Sequence, residues 1–169
     1  SSRRRHTRYG RDWSSDVFSS DLYLRYLPNT EHGVDAEPET VLNVLAWVQS
    51  LLTNFPRPRF YWKMIRDEGK LLVRTIDKPT KALLWQATNP DARDFRFETI
   101  GPAWHSEPLT DDNGIYFVTV PAPASGYTAF FIELTFPGPG TLPLVFTTEV
   151  VVTPDTYPFS GPQIGRAHV

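Results

Sequence analysis

The chain has 169 residues, of which 14% are aromatic, no cysteine, and a formal net charge of −2. The missing thiols exclude disulfides and thiolate metal sites, and no run is apolar for long enough to span a bilayer. The length suits one ordinary domain and a fragment of another.

In chain order, residues 1–22 read SSRRRHTRYGRDWSSDVFSSDL, with neither a helical nor a strand-like apolar period. The continuous apolar stretch of a secretory signal does not follow the Arg3–Arg4–Arg5 cluster. Instead, Trp13 to Leu22 matches the translation of a common sequencing-adapter string at every position but one, where Phe18 replaces Cys. At the other end, Ile164 to Val169 matches the translation of a second adapter string that continues into a stop codon. Residues 1–22 and 163–169 are therefore expected to be non-native, with no packed structure of their own. Without their six arginines and three aspartates the formal charge is −5, from 11 basic and 16 acidic residues. That field repels phosphate backbones and disfavours a nucleic-acid partner.

Tyr23 to Leu27 is a short apolar run that stops at Pro28, and Asn29 to Gly33 has loop composition. From Glu39 onward Val41, Val44, Leu45, Val48 and Leu52 recur at helical spacing, with Leu42, Trp47 and Leu51 widening the stripe. Pro38 suits a first turn, and Asn54 with Pro56 suits a stop. Residues 23–56 thus read as strand, loop and helix.

Residues 57–158 change to short β-type runs at Arg59–Ile65, Leu71–Ile76, Ala82–Thr88, Phe95–Ile100, Ile115–Val120, Tyr127–Phe136 and Val145–Val152. Turn signals separate them, including Asp67-Glu68-Gly69-Lys70 and Asp111-Asp112-Asn113-Gly114. Phe130, Ile132, Leu134 and Phe136 share one strand face, and Glu133 and Thr135 lie on the other. Seven such runs predict an all-β, immunoglobulin-like sandwich, with Trp62, Trp85, Phe130 and Ile132 pointing inward.

The strings YLRYLPNTEHG, RPRFYW, LWQATNPDARDFRFETIGPAW and TAFFIELTFPG resemble the PhoPQ-activated pathogenicity-related protein family. That resemblance implies a bacterial, virulence-associated protein with an α/β-hydrolase-like catalytic domain followed by a β-sandwich, and suggests a secreted or periplasmic setting. Residues 23–56 would be the C-terminal end of the hydrolase-like domain and residues 57–158 the sandwich. The N-terminal hydrolase domain of the same protein would be the missing partner.

In an α/β hydrolase the triad histidine follows the last strand and precedes the last helix. His32 holds that place and is the candidate general base, against the alternative of a solvated loop histidine. No serine between Tyr23 and Pro162 lies in a Gly-x-Ser-x-Gly elbow, so this chain is expected to be inactive alone. Asp35 reads as a helix-start residue and Glu31 as a solvated side chain. Isolated His105 implies no metal, and no cofactor is expected. Trp62, Trp85 and Trp104 fit either a sugar-stacking platform or the core. Arg93, Asp94 and Arg96 fit either an ion-paired turn or a contact with the hydrolase domain. A non-catalytic protein whose sandwich binds a partner is the alternative from a different class.

Overall fold

The computed structural model describes residues 23–31 and 38–158. The adapter-like ends, His32 and Asp35 lie outside the described residues. Helix α1 spans Pro38–Leu52. Strands β1 (Phe60–Ile65), β2 (Lys70–Thr75) and β3 (Lys81–Asn89) precede a short helix α2 (Phe97–Ile100). Five strands come next: β4 (His105–Pro108), β5 (Ile115–Thr119), β6 (Tyr127–Phe136), β7 (Leu144–Thr147) and β8 (Val151–Thr153).

All pairings are antiparallel and build two sheets. One has the order β1-β2-β5, and the other β4-β3-β6-β7, with β8 also on β6. A constant-type immunoglobulin domain places its fourth strand on the first of these sheets. Here β4 joins the second, through Leu83↔Pro108 to Gln86↔His105.

Strand alternation explains the core between the sheets. Phe60, Trp62, Leu71, Val73, Tyr116 and Val118 face it from the smaller sheet. Leu84, Phe130, Ile132, Leu134 and Phe136 face it from the larger, and Phe60 lies 5.6 Å from Phe136 between ring centroids. The β1–β2 connection is a single 3-10 turn, Arg66–Glu68, closed by Gly69 at φ 59°. A β-carbon there would sit 2.3 Å from the Val120 carbonyl oxygen, so the turn requires glycine.

Three expectations are corrected. Residues 95–100 are not a strand: Asp94 accepts hydrogen bonds from the Arg96 amide and the Thr99 hydroxyl, and Gly101 ends the short helix α2. The last run is two strands, because the Thr148 hydroxyl accepts the Ile132 N–H while the Thr148 N–H bonds the Ile132 carbonyl. Trp85 is not in the inter-sheet core but half-buried on the outer face of the larger sheet. That outer face is covered too, so Ala129 and Phe131 are buried there as fully as Phe130 and Ile132 are inside.

Helix α1 packs on the sandwich end through Trp47, whose ring meets Tyr23 at 5.3 Å and Phe146 at 5.8 Å. Only Ala46 and Ser50 of the helix are buried. Val41, Leu42, Val44, Leu45, Val48, Leu51 and Leu52 all remain exposed. Among the described residues, no helix is long and apolar enough to cross a membrane.

Candidate functional site

The segment 23–31 is the stalk that carries the chain toward position 32, and it is tied to the sandwich through Tyr23, Leu24, Arg25, Tyr26 and Asn29. The Thr147 N–H donates to the Leu24 carbonyl at 2.8 Å, and the Thr147 hydroxyl accepts the Tyr26 N–H at 3.1 Å. Thr147 is an edge position of β7, so the stalk continues the sheet for one isolated bridge, Leu24↔Thr147, and no regular strand forms at 23–27.

Arg25 donates to the Glu133 carboxylate at 2.5 Å. Glu133 lies on the outer face of β6 and is 8% exposed, so its charge is held out of water beside a guanidinium. Asn29 closes the stalk, with its amide nitrogen donating to the Trp104 carbonyl at 2.8 Å and its amide oxygen accepting the Trp104 N–H at 3.0 Å. It adopts φ 59°, a conformation asparagine tolerates better than most residues. Trp104 is itself seated against Phe131 at 5.3 Å, and Tyr26 lies 5.8 Å from the same ring.

Between this stalk and α1 runs a cleft of about 210 Å³. Tyr23, Trp47 and Phe146 give it an apolar floor, and Arg25, Thr40 and Asn43 stand in its walls. Arg25 Nε, Thr40 Oγ1 and Asn43 Oδ1 are buried with no hydrogen-bond partner among the described residues.

The candidate residues outside the stalk separate clearly. Glu31 is exposed. Ser50 is buried and donates to the Trp47 carbonyl, and Ser125 donates to the Pro90 carbonyl. His105 and Ser106 are exposed neighbours on β4, so their side chains leave opposite faces of the strand. Among the described residues no three His, Cys, Asp or Glu side chains converge on a metal-sized site. Trp62 sits in the inter-sheet core, while Trp85 and Trp104 are half-buried on the far side of the larger sheet. The three rings therefore form no common platform.

Arg93, Asp94 and Arg96 make a structured turn. Asn89 accepts hydrogen bonds from the Asp91 and Ala92 N–H groups and donates to the Asp94 carbonyl. Hydrogen bonds from the Arg96 side chain and amide hold the Asp94 carboxyl well below the usual carboxylate range. Arg93 turns instead to Asp155 at 3.6 Å and lies over the Tyr157 ring at 4.3 Å. Sequence reasoning missed the Arg25–Glu133 and Asn29–Trp104 clamps. Their one signal was an acidic residue amid the apolar run of β6.

Comparison with known proteins bears on these elements directly. The chain is 29% identical over 171 aligned residues to autocrine proliferation repressor protein A of Dictyostelium discoideum. That alignment takes in 87% of this chain and 35% of the relative, so the chain spans about a third of the relative's length. No solved structure matches it. The model of the PhoPQ-activated pathogenicity-related protein family matches residues 13–96, from within the adapter-like stretch through the stalk, α1 and the first three strands to Arg96. It is to the PhoPQ-activated pathogenicity-related protein family that this chain is similar, over its N-terminal half.

Proposed function

We propose that this chain is the C-terminal part of a larger hydrolase, in which residues 23–56 complete an α/β-hydrolase-like domain and the sandwich supports it. The observation that carries this reading is the stalk. A segment fastened to the sandwich from Tyr23 to Asn29 fixes the chain three residues before His32 in the sequence. In an α/β hydrolase the chain order is nucleophile, acid, histidine, and position 32 stands between the stalk and α1. His32 would act as general base toward a serine contributed from upstream, and return the proton to the leaving group. Peptide or ester bonds are the substrate class, and this chain by itself is inactive.

The test restores the upstream coding sequence and measures hydrolysis of an ester and aminopeptide panel by the longer protein and its His32→Ala variant. A loss of about 10³-fold or more supports the assignment, and equal activity in the two contradicts it.

A second reading is favoured by the relative's name, which denotes repression of proliferation and not bond cleavage. On that reading the upstream domain has no working triad and the sandwich binds a partner. An upstream sequence with no elbow serine would favour it.

A further inference from the structure

The two sides of α1 are assigned against its sequence. At about 100° per residue, Ala46, Asn43 and Ser50 fall on one side, and that is the side turned to the sandwich. Val41, Val44, Leu45, Val48 and Leu52 fall roughly opposite and are between 43% and 82% exposed. A helix that finishes on its own domain buries its apolar stripe and shows its polar side. Here the small and polar side is buried and the stripe is bare.

We infer that this stripe is a docking surface, and that its occupant is the part of the same protein that precedes Tyr23. The inference rests on the reading of the chain as part of a longer protein, and it adds where that remainder binds. About two-thirds of the Dictyostelium relative lies outside the region aligned to this chain, which leaves a body large enough to cover a helix. Tyr23 touches Trp47 of α1, so anything joined before Tyr23 is held beside the helix at the millimolar effective concentrations of a short tether.

The cleft beside Val44 specifies the chemistry. Arg25 Nε can only donate, Asn43 Oδ1 can only accept, and Thr40 Oγ1 can do either, and none has a partner among the described residues. A polypeptide brings N–H and C=O groups together to such a site, whereas an acyl chain brings neither. Glu39 is the only charged residue of α1, so the helix also lacks the Lys and Arg of a membrane-surface helix. The occupant is therefore a protein body with an apolar patch and backbone polar groups at its rim.

Because the chain has no cysteine, single reporters can be placed at will. Val48→Cys and Leu45→Cys are made in this chain and in the full-length protein, with Glu107→Cys as the exposed control, and maleimide labelling is read peptide by peptide by mass spectrometry. Near-UV circular dichroism identifies any variant that fails to fold, and two stripe positions guard against losing one. The expected result is fast labelling at both positions in this chain and at least tenfold slower labelling in a full-length monomer, with Glu107→Cys unchanged. Equal rates in the two proteins would overturn the inference. So would protection that appears only in a dimer, of either length, which would assign the stripe to a second copy. Protection without any loss of hydrolysis in His32→Ala would keep the docking surface and remove the catalytic reading. Loss of hydrolysis without protection would do the reverse.

Discussion

Strand β6 and helix α1 carry comparable apolar sequences and meet opposite fates. In β6 both faces are covered: Phe130 and Ile132 by the smaller sheet, and Phe131 by Trp104 and Tyr26. Even its one charged residue, Glu133, finds a cation. In α1 a stripe of valines and leucines faces solvent while Ser50 is 2% exposed. Burial at the strand is complete because every element that covers it lies within the described residues. At the helix, the described residues cover the side of Ala46 and Ser50 and leave the stripe exposed. A contiguous exposed apolar stripe is a common mark of an interaction surface.

The contrast is broken most strongly at β6. Phe131→Ala should cost about 3–5 kcal/mol in chemical denaturation, since it removes the floor beneath Trp104 and Tyr26. Arg25→Ala should cost about 3 kcal/mol by leaving Glu133 buried without its cation, and the paired Arg25→Leu, Glu133→Leu variant should recover most of that loss. Asn29→Ala should cost about 1–2 kcal/mol, from two hydrogen bonds to the Trp104 backbone.

A pH titration sharpens the account on the α2 side. Hydrogen bonds from Arg96 depress the Asp94 carboxyl in the folded state, so its contribution is complete above the unfolded value of about 4 and is lost as pH falls toward the folded one. Asp94→Asn should therefore flatten the fall in stability below about pH 4 and leave the shape near neutrality unchanged. The smallest effect belongs to α1. Val48→Asp should change the stability of this chain by no more than about 1 kcal/mol, because the side chain it replaces lies on the exposed side of the helix.

Much of the fold is legible in the sequence because its signals are local. The period of Val41 to Leu52 locates α1 to within one residue, and Phe130, Ile132, Leu134 and Phe136 mark the inner face of β6. Strand β4 escapes such a reading because an exposed edge of His105, Ser106, Glu107 and Pro108 carries no apolar alternation. Residues 95–100 imitate a strand by alternating Phe95 and Phe97, while the signals that decide for a helix, Asp94 before and Gly101 after, are single residues. Trp85 reads as core by alternation alone, since a strand covered on both faces places an aromatic side chain equally well on either. Neither clamp of the stalk can be read, since Arg25 and Glu133 are 108 positions apart and Asn29 and Trp104 are 75. The candidate histidine is legible from element order and family resemblance, and it lies outside the described residues.

Amide hydrogen exchange tests the central contrast most directly, with β6 as the internal standard. In this chain the amides of α1 between Val44 and Leu51 should exchange at least a hundredfold faster than those between Phe130 and Leu134, because among the described residues the helix is held to the sandwich mainly through Trp47 and its small neighbours. In the full-length protein the same helix amides should slow to within about tenfold of β6. Helix amides already as protected as β6 in this chain, or unchanged in the longer protein, would contradict the claim that α1 awaits a covering layer from the rest of its own protein.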